Sequence, residues 1–545
     1  MIAIDVIFVT IGILFFCFLC IRNSLIYPKI MKKLHKYIGL FLIPLFIWMG
    51  ISGIILNHRK AFSTMDISRK WLPEAYRYQN WNRGFFKGGL SLSPDSFLLY
   101  GNEGIWLSDG KEKLREYNDG LAKGADRQKI HRLVQAASGQ VYAASSYTVY
   151  VLSGQKTHSL WHPVSLPDHE GFITDMEVKG DTLVVLTRSV YMMAPVRKDD
   201  VGKSPEFQVY QLPDALGQER QRSLFRVIWD LHCGALWGIT GRVVVDILAV
   251  LLSFISITGL LVWWFPKQIC RKKRLRKNTN LSISRFKWNF IWHDKVGYWL
   301  LIPLFMLIMT GAFLRPPLLI LIAREKVSPP PLTVMDGDNS WHELLRSLRY
   351  DSEKQEWLLY TSEGFFSLKE LGKGNSADFI PNPLRNEPPV SVMGLNVWQQ
   401  LDKQKWLVGS FQGLYVWDRE TGLSIDALTG LPPVPSPIPV GKKQISGFLF
   451  FNPQKTLVFD YNTGVEVIEP GQSFITMPEH EKYRSMSWWS IALEMHTGRM
   501  FTFLKDTSIL FPFFMGLLGL LVLYSGWKIS RRSIFKSLFN PVKRI

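Results

Sequence analysis

Residues 34–56 read LHKYIGLFLIPLFIWMGISGIIL, and residues 292–314 read WHDKVGYWLLIPLFMLIMTGAFL. Each is apolar over about 20 residues, the length that crosses a hydrocarbon core of about 30 Å. In both, a histidine is followed four residues later by glycine (His35/Gly39 and His293/Gly297). Eighteen residues after the histidine comes a second glycine, Gly53 or Gly311, preceded by Ser52 or Thr310. Both contain LIPLF, one residue out of step. A second pair of segments also matches. His232-Cys233-Gly234 leads into an apolar run at 243–265, and His496-Thr497-Gly498-Arg499 leads into another at 509–527. The chain thus reads as a tandem duplication of the unit span, large segment, span. Its four principal spans fall in segments 31–56, 241–265, 293–315 and 509–529. An apolar stretch at 2–21, within segment 1–30, lacks a basic leader and a small-residue cleavage site and reads as an uncleaved helix. Met31 offers an alternative start.

Charge fixes the orientation of these spans. The chain has 545 residues and a net charge of +19, a balance that raises nucleic acid as a partner. The charge is not spread over a binding face. Residues 22–36 hold five Lys/Arg, 266–292 hold nine and 528–545 hold six, with no Asp or Glu among them. Everything else nets −1. Each basic stretch borders an apolar segment, which is the pattern of cytoplasmic loops in a bilayer protein and excludes nucleic-acid binding. Loop 266–292 and tail 530–545 are therefore expected in the cytoplasm, and segments 57–240 and 316–508 on the far side. Trp263, Trp264, Trp292 and Trp527 fall near the expected cytoplasmic boundaries.

The two large segments read as all-β. Three hairpins in the first, SFLLYGNEGIWLSDG (96–110), QVYAASSYTVYVLSG (140–154) and TLVVLTRSVYMMAP (182–195), are 44 and 41 residues apart when aligned on Ile105, Val149 and Val190. Three in the second, EWLLYTSEGFFSLKE (356–370), KWLVGSFQGLYVWDRETG (405–422) and TLVFDYNTGVEVIEP (456–470), are 49 and 51 apart on Phe365, Leu414 and Val465. Such spacing suits four-stranded propeller blades. Three blades cannot close a ring, whereas three plus three can. The expectation is one six-bladed β-propeller built from both halves, with two separate small β domains as the competing arrangement.

Five of the eleven histidines lie near span ends. His35 and His293 occupy equivalent repeat positions on the cytoplasmic side, and His232 and His496 occupy equivalent positions on the outer side. His58 follows the first span without a match, since Pro316 stands at the corresponding place. Facing imidazoles in a helix bundle are a common way to hold haem iron. His35 and His58 are 23 residues apart, about 34 Å along a helix, so they cannot share one iron. The expectation is two haems b, one per layer, on His35, His293, His232 and His496, with His58 as a further candidate. The competing expectation is that these side chains only anchor helix ends beside headgroups. Arg59, Arg242 and Arg499 would meet haem propionates or lipid phosphates. Cys17 and Cys20 form a C-x-x-C inside an apolar stretch, and no C-x-x-C-H is present for covalent haem. His131, His158, His162, His169, His342 and His480 read as turn or surface residues. No G-x-S-x-G, H-E-x-x-H or G-x-G-x-x-G occurs, and Gly202-Lys203-Ser204 lacks the first glycine of a phosphate loop.

The run LHKYIGLFLIPLFIWMGISGIILNHR, followed by LHCGALWGITGRVVVDILAVLLSFISITGLLVWW, resembles the PepSY-associated transmembrane helix family. The shared features are a span opening L-H-x-x-x-G and closing with Ser/Thr-Gly, then H-x-G before the next span. The resemblance covers the four spans and is looser at Phe511-Pro512-Phe513-Phe514. It implies a bacterial inner-membrane protein of the kind that includes haem-containing ferrisiderophore reductases. By position, His35 and His293 would be inner haem ligands and His232 and His496 outer ones. The exported segments depart from the family, with propeller-like hairpins in place of a PepSY module, and the cytoplasmic segments are too short for a flavin or nicotinamide domain.

The function expected is a di-haem oxidoreductase that passes electrons outward to a periplasmic ferric chelate, such as a ferric siderophore, or to a redox protein. Its donor would be membrane quinol or a separate reductase. The alternative is a membrane-anchored sensor, assembly factor or binding module without enzymatic activity. A transporter is disfavoured because no intramembrane charge pair or broken helix is evident and Asp246 is the only clear acidic candidate within the principal spans.

Overall fold

The computed structural model describes residues 27–539 except 94–95, 110–112, 155–159, 169–170, 197–204, 216–219, 373–376, 392, 435–440 and 453–454. The apolar N-terminal stretch with Cys17 and Cys20, as well as His158, His169 and Gly202–Ser204, lies outside the described residues. The described residues form two compact units, one within 1–60, 220–337 and 489–545, the other within 61–219 and 338–488.

The first unit is helical. Helix α1 (Tyr27–Asn57), α2 (Leu224–Cys233), α3 (Gly238–Arg274), α4 (Asn280–Trp299), α5 (Leu301–Phe313), α6 (Trp488–His496) and α7 (Phe511–Phe539) are its main elements. Three stretches, Lys29–Asn57, Ala235–Arg274 and Thr502–Ser530, are long and apolar enough to cross a membrane. The segment expected as an unbroken third span is instead the pair α4 and α5, bent by 64°. Pro303 permits the break, since it has no N–H for the carbonyl of Trp299 and crowds it. Leu300 at the corner is buried with Leu252, Val296 and Leu304, so packing holds the bend. The sequence reading that no helix is broken is therefore corrected. Outward-facing side chains are apolar, with Ile239 70% and Ile302 74% exposed; an apolar helix surface is stable in lipid, not in water.

The second unit holds six antiparallel sheets, spanning 88–116, 130–163, 173–210, 345–383, 395–426 and 445–467. Five are four-stranded and the last has three strands among the described residues. Their first strands are β1 (Gly88–Ser93), β2 (Ile130–Gln135), β3 (Ile173–Lys179), β4 (Leu345–Asp351), β5 (Leu395–Gln400) and β6 (Ile445–Asn452). Each packs on the next, and β6 returns to β1. The second strands, such as Thr182–Thr187 and Glu356–Thr361, are buried at nearly every position, because each lies between two neighbouring sheets and both its faces are covered. Hence they read as continuous apolar runs rather than alternating ones.

Every gap between successive sheets has its own core. Leu98, Tyr100 and Ile105 meet Leu133 and Ala143; Tyr142 and Val149 meet Met176 and Leu183. Further round, Val184 and Leu186 meet Leu348 and Trp357, Leu358 and Phe365 meet Trp398 and Trp406, and Val397 and Leu407 meet Phe448 and Val458. The last gap, between the sixth sheet and the first, is filled by Leu457 and Phe459 against Phe97, Leu99 and Trp106. There Phe448 N donates to the Lys87 carbonyl at 3.3 Å. A Cβ on Gly447 would lie 2.3 Å from that oxygen, so the close approach requires glycine. The two ends of the unit meet as well, Asp66–Ser68 pairing antiparallel with Ser485–Ser487.

Candidate functional site

The helical unit brings the four repeat histidines together as two pairs. His35 and His293 have ring centroids 6.1 Å apart at an interplanar angle of 65°. His232 and His496 lie 6.3 Å apart at 64°. The pairs sit at opposite ends of α1: His35 is on it near one end, and Ser52, 17 residues further on, holds His496. That is about 25 Å along the helix.

All four rings are held in the same way. His35 Nδ1 is 3.1 Å from the Val522 carbonyl and 3.3 Å from Ser525 Oγ. His293 Nδ1 is 3.0 Å from the Ile255 carbonyl and 3.2 Å from Thr258 Oγ1. His232 Nδ1 is 3.0 Å from the Leu307 carbonyl and 3.2 Å from Thr310 Oγ1. His496 Nδ1 is 2.9 Å from Ser52 Oγ and also contacts the Met49 carbonyl. In each case a carbonyl at one position and a hydroxyl three residues later face one ring nitrogen. The hydroxyls donate to their own helices, Ser525 to Val522, Thr258 to Ile255, Thr310 to Met306 and Ser52 to Trp48, so towards the imidazoles they act as acceptors. Nδ1 must therefore carry the proton, and Nε2 carries the lone pair. None of the four Nε2 atoms has a hydrogen-bond partner among the described residues.

A glycine follows each hydroxyl and gives the ring its space. A Cβ on Gly526 would stand 3.0 Å from His35 Cε1, on Gly259 2.9 Å from His293 Cε1, and on Gly311 2.8 Å from His232 Cε1. Gly53 is looser, at 3.9 Å from His496 Cε1. The sequence reading found Ser52-Gly53 and Thr310-Gly311 as marks of the repeat, but missed Thr258-Gly259 and Ser525-Gly526. The signal was the same dipeptide in each closing span. The connections also cross between halves. His35 and His496 are joined to α7 and α1, and His293 and His232 to α3 and α5, so each half's histidines are held by the other half's spans.

The PepSY-associated TM region matches residues 32–532. The chain belongs to the PepSY-associated TM family. The match takes in all five candidate histidines and both units. No curated protein matches the chain. Among solved structures, an extracellular domain from B. thetaiotaomicron, assigned to a one-component system, is 10% identical with a TM-score of 0.32; the alignment covers 76% of this chain and 44% of that one. A structural-genomics protein of unknown function from Bacteroides thetaiotaomicron VPI-5482 is 10% identical with a TM-score of 0.34, covering 72% of each chain. The chain thus spans less than half the length of the first of these, and likenesses of this size carry no functional inference.

His58 of this PepSY-associated TM protein joins neither pair. Its Nε2 lies 2.6 Å from Asp246 Oδ2, and Asn57 Nδ2 donates to Asp246 Oδ1 at 3.1 Å and to the Cys233 carbonyl at 3.2 Å. The Arg59 guanidinium stacks over the Trp489 ring at 4.2 Å, and Arg499 pairs with Glu494 at 2.6 Å. Of the outlying histidines, His131 bonds Ser146 Oγ at 2.7 Å and His480 meets Glu481 at 3.0 Å. Among the described residues no group of three or more His, Cys, Asp or Glu is arranged for a metal ion; a haem iron asks for only two imidazoles.

Proposed function

We propose that this membrane protein is a di-haem electron carrier, with haem b held between His35 and His293 and between His232 and His496. The observation that carries the reading is the pair geometry. An imidazole–metal bond of about 2 Å on each side, plus about 1 Å from nitrogen to ring centre, puts two axial rings about 6 Å apart. The 6.1 and 6.3 Å separations fit that span, and the bonds at Nδ1 leave Nε2 as the ligating atom. When bound, haem would supply one-electron redox chemistry. This chain's residues do the rest. Carbonyl and hydroxyl partners fix the tautomer, stop the rings turning and raise the basicity of Nε2. The apolar helices around them exclude water and ions.

The layer of His35 and His293 is read as cytoplasmic because the basic stretches 22–36 and 266–292 adjoin it. On this reading α4 and α5 together make the third of four spans, and the protein resides in a bacterial inner membrane with the β unit exported. The six cyclically packed sheets are read as blades of one propeller, which the six separate inter-sheet cores support. Electrons would enter from membrane quinol, each quinol losing two electrons and two protons, or from a separate reductase. They would leave to a periplasmic ferric chelate or redox protein, each electron turning one ferric ion ferrous. The test is proteoliposomes holding a quinol, with an external ferric chelate and a ferrous indicator. Wild-type protein should produce ferrous iron, and His35→Ala or His496→Ala should slow it at least tenfold. Equal rates in the variants would refute the assignment.

A further inference from the structure

The β unit contains a cavity of about 130 Å³ lined by the first strands of five sheets and by the residue that precedes β1. Its wall takes Lys87 just before β1, Arg132 from β2, Thr174 from β3, Ser347 from β4, Gln399 from β5 and Phe448 from β6. The acidic groups nearby are already committed. Asp175 accepts from Arg349 Nη1 at 2.6 Å, from Leu348 N at 3.0 Å and from Met176 N at 2.9 Å. Glu177 accepts from Arg132 at 3.0 Å. The Lys87 ammonium has no carboxylate partner among the described residues. Arg132 and Arg349 also line the cavity, and Glu177 and Asp175 answer their two charges, which leaves the charge of Lys87 over. A desolvated ammonium without a counter-charge is costly, so Lys87 asks for an explanation.

The surplus is one unmatched positive charge. The complementary ligand is rich in acceptors and negatively charged. We propose that this cavity is a binding site for a small oxyanion, a carboxylate or phosphate group, with Lys87 supplying the charge beside the guanidinium groups of Arg132 and Arg349. The volume is below the roughly 300 Å³ at which pockets begin to take drug-sized molecules, so the ligand is small. The inference goes beyond the electron-transfer reading and does not depend on it.

Charge at Lys87 gives the site a pH dependence. Burial, helped by the charge of Lys129, draws the Lys87 ammonium down to about 8. Tyr100, His131, Arg132, Arg349 and Asp175 are the other ionisable groups on the cavity wall; of these, Asp175 and Arg349 neutralise one another, and Glu177 answers Arg132. Lys87 is therefore charged below pH 8 and neutral above it, and anion affinity should fall as pH rises through that value. The experiment uses the full chain in detergent, with inorganic phosphate, sulfate and succinate as probes, read by thermal unfolding and calorimetry. At about pH 7 at least one probe should bind saturably and raise the unfolding temperature. The preferred probe separates phosphate from carboxylate chemistry. Affinity should fall roughly tenfold or more in Lys87→Met, while Lys87→Arg should bind and lose the decline above pH 8. Two results would overturn the proposal: no saturable binding of any probe to the wild type at about 10 mM, or wild-type affinity in a Lys87→Met protein that unfolds at the wild-type temperature without ligand.

Discussion

The His293 ring lies so near Gly259 that a single methyl there would come within 2.9 Å of Cε1. A Gly259→Ala protein must therefore tilt the ring or open the contact between α3 and α4, whereas at Gly53, 3.9 Å from His496, the same methyl fits. The expected outcome is that Gly259→Ala or Gly311→Ala loses about half of the bound haem and that Gly53→Ala keeps it, measured by haem content per chain. The hydroxyls act differently. Thr258→Val removes one of two acceptors at His293 Nδ1 and leaves the Ile255 carbonyl, so haem should remain while its midpoint potential shifts through the second-shell bond. Potentiometric titration distinguishes the two classes of variant. His58 belongs to neither, since Asp246 occupies it; Asp246→Asn should leave the haem count unchanged.

At the scale of elements, the second strands of the sheets are the most continuously buried. Leu457, fully buried between the sixth sheet and the first, should cost about 2–5 kcal/mol on truncation to alanine, seen as a lower midpoint in denaturant. These strands were legible in the sequence because both faces are covered and the runs are continuously apolar. The first strands were not. IHRLVQ (130–135) and LRSLRYD (345–351) carry arginines that face the cavity, so their polarity hides them from a search for apolar runs. The fourth strands, such as Leu114–Glu116 and Ser424–Asp426, are short and have no buried position and gave no signal either. The bend between α4 and α5 was hidden for another reason. Pro44 in LIPLF of the first repeat leaves α1 continuous, whereas Pro303 in the same motif sits at a 64° corner. Proline permits the break, and packing around Leu300 decides it.

At the scale of the molecule, the duplication is explained by exchange. Each half contributes histidines that only the other half's Ser/Thr-Gly spans can hold, and the β unit likewise needs both halves for its six sheets. The repeat and the pairing of positions could be read from His35/His293 and His232/His496 alone. That each ring is oriented by the opposite half could not, because it depends on which helices pack together and not on spacing within one. Fragments 1–277 and 278–545, produced separately, should bind no haem, and co-expression should restore a two-haem protein. The central claim is tested most directly by the optical spectrum of the purified protein, oxidised and then reduced with dithionite, with a pyridine haemochrome count on the wild type, His35→Ala and His232→Ala. The account predicts haem b at two per chain in the wild type and one in each variant. A protein that stays colourless after supplementation with haem, or variants that keep both haems, would contradict it.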